Sequence, residues 1–393
     1  MSDMRTPAEA SVLVVDDVPE NRDLLVRRLN RLGIKDIEQA ANGNEALAAI
    51  ARKTFQLVLL DIMMPELDGF GVLEQLRRDG RINDLPVVVI SALNEIDPVV
   101  RCVELGAEDF IFKPFNPTLL RARVLASLEK KALRDRTREE LRRKQAELNE
   151  ARTLQLALVP PPFRGVVGGL DVTVDVLLEP AKEVGGDLVD HFRIGDDLIV
   201  LALGDVSDKG AGAALMMART HSLIRSLAAR PDARAMFEAP ERAVGLINAP
   251  LAENNSSEMF VTFLLATADL ARGRLTYVRA GHVPPFVRRA GGAVERLGTL
   301  GGLPLAMIEG AAYKSDVIDF AAGDRILVLT DGFTEAADPA GTLFGEAPIE
   351  ALLAAEDESP FLARLTAQVR AYEAGEPASD DMAAVLLRLE TAR

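Results

Sequence analysis

From Asn116 to about Pro160 the chain contains no glycine and is dense in charged residues, until "VPPPF" (159–163) breaks the pattern. Proline cannot continue a helix, so the stretch predicts one long helix ending there. Basic residues outnumber acidic ones in it, against the sign of the whole chain, whose formal charge is −15. A heptad reading places Leu141, Leu148, Ala151 and Leu158 on one seam, but Lys144 and Gln155 fall on it too. A marginal coiled coil in a signalling linker and a solvated helix lying against one domain fit this pattern equally.

The two blocks flanking this helix differ in pattern. Before it, "SVLVV" (11–15), "IKDIEQA" (34–40), "FQLVLL" (55–60), "PVVVIS" (86–91) and "DFIF" (109–112) alternate with amphipathic segments. That alternation predicts an α/β doubly wound domain on a five-stranded parallel sheet, with ligands at the carboxyl ends of the strands. After it come strand-like runs such as "DVTVDVLL" (171–178), "DLIVLALGDVS" (197–207), "MFVTFLLATADL" (259–270), "DRILVLTDG" (324–332) and "MAAVLLRL" (382–389). Helical patterns interrupt them at 211–229, 240–252 and about 346–372, which predicts an α+β domain with an antiparallel β-sandwich flanked by helices.

Composition narrows the chemistry. With 393 residues, two or three domains are expected. Tryptophan is absent and aromatic content is 5%, so base stacking is disfavoured, and the net charge opposes general affinity for nucleic acid or anionic membrane. No apolar run approaches membrane-spanning length, and Cys102 is the single cysteine, so a reducing cytoplasm is the expected location. Three histidines leave little scope for a zinc site or a Ser-His-Asp triad, whereas sixty acidic residues point to carboxylates and hard cations.

In the first block Asp16 and Asp17 follow the first strand, Asp61 the third, Ser91 ends the fourth, and Lys113 follows the fifth. They are expected on one sheet edge, where clustered carboxylates bind Mg²⁺ and a lysine and a hydroxyl hold phosphoryl oxygens. "VVDD", "LLDIMMPELDGF", "VVVISA" and "FKPF" resemble, in order and spacing, the receiver domain of two-component response regulators over residues 10 to about 125. The resemblance implies that Asp61 accepts a phosphoryl group from a histidine kinase or phosphotransfer protein. It further implies Mg²⁺ held by Asp16, Asp17 and Asp61 with the Met63 carbonyl, Lys113 and Ser91 on the phosphoryl oxygens, and Phe110 as the aromatic that repacks.

The second block repeats an acid at strand ends: Asp187 in "KEVGGDLVDHF", Asp205 in "LALGDVSDKG", Asp331 in "LVLTDGFTEA", and Asp380 with Asp381 in "ASDDMAAVLL". Any one of them reads as a turn or cap acid. Four recurrences in one context favour two divalent cations, and oxygen-only ligands suit Mg²⁺ or Mn²⁺. "EVGGD", "GDVSDKG", "AGHVPP", "GGLPLAM", "LTDGFTEA" and "SDDM" together resemble the SpoIIE/RsbU branch of the protein phosphatase 2C superfamily. The resemblance implies two ions held by Asp187, Asp205, Asp331 and Asp380, with Asp205 bridging and the Val206 carbonyl as a further ligand. Asp380 is favoured over Asp381. Leu188 and Val189 stand where aromatics are frequent, and Asp208 where glycine is often found. His282 reads as a packing or loop-fixing residue.

The expected organisation is a receiver at 1–123, a helical signalling linker at 118–160 and a phosphatase domain at 165–390. By resemblance, the activity is hydrolysis of phosphoserine or phosphothreonine in a phosphorylated STAS-type anti-sigma-factor antagonist, within a partner switch, with a homodimer formed through the linker helix. The competing reading is an adaptor that has lost catalysis and binds a sigma factor or anti-sigma partner.

Overall fold

In a computed structural model, which describes residues 10–92, 96–114, 116–253, 255–298, 301–355 and 360–392, the chain divides into two compact units, Met1–Lys144 and Gln145–Arg393. The first contains strands β1 (Ser11–Val15), β2 (Asp36–Ala40), β3 (Leu57–Asp61), β4 (Val87–Ser91) and β5 (Asp109–Phe112) in the parallel order β2-β1-β3-β4-β5. Helices α1 (Pro19–Arg31), α2 (Gly43–Arg52), α3 (Gly69–Arg78) and α4 (Ile96–Glu104) intervene, and α5 (Pro117–Leu156) follows.

Alternation along each strand builds a core on both faces of this sheet. Leu13, Val15, Val58, Leu60, Val87 and Val89 pack to one side with α2 and α3, while Val12, Val14, Leu57, Leu59, Val88 and Ile90 pack to the other with α1 and α5. A strand covered on both faces has no polar side, which is why these segments read as continuous apolar runs. Caps set the helix starts: the Asn42 side chain accepts from Glu45 N and the Asp68 side chain from Gly71 N.

The helix α5 is 40 residues long, about 60 Å at 1.5 Å per residue. Its first half is tied to the first unit by ion pairs of Lys130 and Arg134 with Glu108, and of Arg138 with Asp84. Leu141 on the expected seam is exposed. Gln155, also assigned to that seam, is buried within the second unit. No described helix is long and apolar enough to cross a membrane.

The second unit stacks two antiparallel sheets between helical layers. One sheet runs β14-β11-β10-β9-β8, formed by β8 (Leu188–Ile194), β9 (Leu198–Val206), β10 (Val261–Asp269), β11 (Arg274–Ala280) and β14 (Ser315–Asp319). The other runs β13-β12-β15-β16-β7-β6, formed by β6 (Phe163–Val167), β7 (Leu170–Glu179), β12 (Phe286–Arg288), β13 (Val294–Arg296), β15 (Arg325–Leu329) and β16 (Met382–Thr391). Ile199, Leu201 and Leu203 meet Val328, Val385 and Leu387 between the sheets. Val200 and Ala202, on the opposite face of β9, pack under α6 (Ala211–Ala228), α7 (Ala233–Phe237) and α8 (Pro240–Glu253). Leu327, Leu329, Ala384 and Leu386 cover the far side with α9 (Ala347–Ala354) and α10 (Phe361–Glu373).

Candidate functional site

In the first unit the parallel order places the ends of β1 and β3 side by side at the point where chain direction across the sheet reverses. Asp16 is fully buried there, and its Oδ1 accepts from Val18 N and Asn21 Nδ2, each at 3.0 Å. Lys113 Nζ lies 2.7 Å from Asp16 Oδ2 and 2.7 Å from Asp61 Oδ2. Asp16, Asp17 and Asp61 each offer an oxygen, all within 4.8 Å of one another, and no other described His, Cys, Asp or Glu residues form such a group. Burial raises the Asp61 carboxyl above the ordinary range, against the pull of Lys113. Burial works against the Lys113 charge, and its two carboxylate partners outweigh that and raise its pKa.

Ser91 is buried at the end of β4, and Lys113 N donates to its carbonyl at 2.7 Å. Phe110 sits on β5, edge-on to Phe112 at 5.2 Å between centroids. Met63 is exposed two residues past Asp61. Gly69 is required where it stands, because a Cβ there would overlap the Asp61 carbonyl.

In the second unit, acids from four strand ends converge. Asp187 immediately precedes β8, Asp205 is the penultimate residue of β9, Asp331 follows β15, and Asp380 and Asp381 precede β16. Asp187 is 1% exposed, and Thr330 Oγ1 donates to its Oδ2 at 2.8 Å. Its carboxyl is raised well above the ordinary range by burial, then by Asp205 and Asp381. Asp205 is pushed up to about 7 by burial, with Asp331 and Asp380 adding to it. Asp331 is raised by burial and by Glu335 and Asp380. Val206 is buried at the end of β9. These acids do not crowd three ligand atoms into the 4.8 Å nest seen in the first unit, so their arrangement is the more open of the two.

The neighbouring pair Asp380 and Asp381 divides its work. Asp381 is buried, and its two oxygens accept from Ala181 N and Gly186 N, each at 2.7 Å. Asp380 is partly exposed and pairs with Lys209 Nζ at 3.0 Å. Lys209, four residues past Asp205 in the sequence, reaches Asp380 across the fold. It also donates to the Ser379 carbonyl.

Three further residues of this site are given no role by their motifs: Thr330 in "LTDGFTEA", Lys209 in "GDVSDKG", and Gln155, whose side-chain amide grips Gly185. Asp208 adopts φ 73°, which explains why glycine suits its position. Leu188 and Val189 are buried at the start of β8, serving the helix-facing and inter-sheet cores respectively. His282 is 3% exposed and engages the Val283 carbonyl through Nδ1 at 3.0 Å; burial pushes it down to about 4.

The donor set is all oxygen, and burial together with neighbouring acids raises Asp187, Asp205 and Asp331. Such a set fits hard divalent cations.

Residues 12–125 match the family model described as response regulator receiver domain, and residues 195–390 the model described as stage II sporulation protein E (SpoIIE). The probable transcriptional regulator ycf27 of Porphyridium aerugineum is 41% identical over 119 residues, covering 30% of this chain and 48% of that protein. Protein IcfG of Synechocystis sp. (strain ATCC 27184 / PCC 6803 / Kazusa) is 31% identical over 193 residues, covering 44% of this chain and 30% of that protein. The chain thus spans half or less of these relatives' length. The solved SiaA-PP2C domain of Pseudomonas aeruginosa superposes with a TM-score of 0.53 at 19% identity, covering 63% of this chain and 98% of that one, a likeness of fold.

Proposed function

This chain is a response regulator that joins a receiver domain to a SpoIIE-type domain with the protein phosphatase 2C fold, and from that premise we propose that it is a receiver-controlled, metal-dependent phosphoserine/phosphothreonine protein phosphatase. The observation that carries the proposal is the convergence of Asp187, Asp205, Asp331 and Asp380 from four strand ends onto one site, with Lys209 paired to Asp380.

Two Mg²⁺ or Mn²⁺ ions at these acids would neutralise phosphoryl oxygens and lower the pKa of an attacking water. Asp205, whose carboxyl is raised in part by Asp331 and Asp380, would be the acid shared by the two ions, with the Val206 carbonyl as a further ligand. Thr330 orients Asp187 by its hydrogen bond. The engagement of both Asp381 oxygens by backbone N–H groups supports Asp380, not Asp381, as the ligand. Retention of all four acids favours the enzyme over an adaptor that only binds.

In the receiver, Asp16, Asp17 and Asp61 with the Met63 carbonyl would hold Mg²⁺, and Asp61 would accept the phosphoryl group. Lys113 already lies within hydrogen-bond reach of the Asp61 carboxylate, and Ser91 and Phe110 complete the switch. A histidine kinase or phosphotransfer protein supplies the phosphoryl group. The substrate class is a phosphorylated STAS-type antagonist, and two protomers pair through α5. Leu148→Asp leaving the association state unchanged would remove that pairing.

The experiment is phosphate release from phosphorylated STAS-type proteins in Mn²⁺, with and without an acyl-phosphate donor. Metal-dependent release that changes with the donor is expected; absence of release from any phosphoserine protein would overturn the proposal.

A further inference from the structure

The last turn of α5 and the loop that delivers Asp187 are joined by a two-point contact. Gln155 is 6% exposed. Its Nε2 donates to the Gly185 carbonyl at 2.7 Å, and its Oε1 accepts from Gly185 N at 3.1 Å. A side-chain amide carries a donor and an acceptor side by side, so it can satisfy the N–H and the carbonyl of one residue at once. On the other side of the same loop, Asp381 accepts from Ala181 N and Gly186 N. A Cβ on Gly185 would overlap the Asp381 carboxylate, so the loop passes between the two grips with no room to spare.

Two more contacts extend the seam along the helix. Arg152 Nη1 donates to the Lys182 carbonyl at 3.2 Å, and Gln145 Nε2 lies 3.4 Å from Glu183 Oε1. Residues 145, 152 and 155 of α5 thus track residues 183, 182 and 185 of the loop. Only the Gln155 contact is buried, and it lies two residues from Asp187.

We propose that Gln155 is a positioning residue for Asp187: its amide clamps Gly185 so that the final turn of α5 forms part of the metal-holding loop, and loss of that turn's placement weakens divalent-cation binding. This rests on the reading of Asp187 as a metal ligand. It gives one of the two polar residues on the heptad seam a role unrelated to helix pairing. The buried N–H and carbonyl of Gly185, stripped of these partners, would either stay unsatisfied or shift towards water, and Asp187 would move with them.

The test uses the full chain with Asp16→Asn and Asp17→Asn, which silence the receiver's cation site, and adds Gln155→Met or Gln155→Glu. The methionine keeps the apolar stem; the glutamate keeps an acceptor for Gly185 N and serves if the methionine variant does not fold. Amide exchange of the 181–188 segment is followed without metal, and Mn²⁺ binding by calorimetry well below the unfolding midpoint. Exchange at least tenfold faster and Mn²⁺ binding at least fivefold weaker are expected in the variants. A merely structural glutamine would lower the unfolding midpoint and leave Mn²⁺ affinity unchanged, which would overturn the proposal. Unchanged exchange in both variants would do the same. If the unsubstituted Gln155 chain shows the protected segment yet takes up no Mn²⁺, the metal reading itself fails, and the proposal with it.

Discussion

Thr330 Oγ1 donates to Asp187 Oδ2 at 2.8 Å and accepts from Ala383 N at 2.9 Å, so one hydroxyl ties the acid before β8 to the facing ends of β15 and β16. All of these groups are buried. Thr330→Val keeps the shape and removes both bonds. It should cost about 1–3 kcal/mol, the usual penalty for stranding buried polar groups. Urea denaturation without metal measures it, and a loss below a few tenths would show that water replaces the hydroxyl.

Lys209 occupies Asp380 from across the site at 3.0 Å. Both side chains are about a third exposed, so the pair is screened and worth about 1 kcal/mol at most. Loading of metal on Asp380 competes with it. Lys209→Gln should therefore lower the Mn²⁺ concentration for half-maximal phosphatase activity, by up to about fivefold. A rise in that concentration would mean that the lysine assists metal loading.

Much of this site was legible because each acid sits in a short motif at a strand end. Asp16, Asp61, Asp187, Asp205 and Asp331 stand out this way as candidates, and buried strands such as β9 announce themselves as apolar runs. What stayed hidden depends on pairing over long separations. Lys209 meets Asp380 across 171 positions, and Thr330 meets Asp187 across 143, with no local pattern marking either. Gln155 was visible only as a polar residue at a heptad position, because its burial against Gly185 depends on a contact 30 positions away. The strands β6, β12, β13 and β14 are short or carry mixed burial, so they left little periodic signal.

Asp61 is the buried receiver carboxylate at the carboxyl end of β3 and within 2.7 Å of Lys113. Asp61→Asn should abolish phosphoryl uptake from acetyl phosphate with little loss of stability. Labelling of the intact protein with radioactive acetyl phosphate checks this; undiminished incorporation would place the acceptor elsewhere.

His282 titrates near 4 in the fold against an ordinary value near 6.5. Above pH 6.5 both states are neutral and the residue contributes no pH dependence. As pH falls from 6.5 towards 4 the unfolded chain binds the proton and the folded chain does not, so stability is lost, by about 3 kcal/mol in all. His282→Gln should flatten the stability profile in that window relative to wild type. Parallel profiles for the two proteins would contradict the assignment.

The account stands most directly on Asp205, the penultimate residue of β9, whose carboxyl faces Asp187, Asp331 and Asp380. The deciding measurement is Mn²⁺-dependent hydrolysis of para-nitrophenyl phosphate by wild type and Asp205→Asn, with circular dichroism confirming a common fold. The account predicts metal-dependent turnover in wild type and a loss of at least a hundredfold in the variant. Turnover in Asp205→Asn equal to wild type would contradict it.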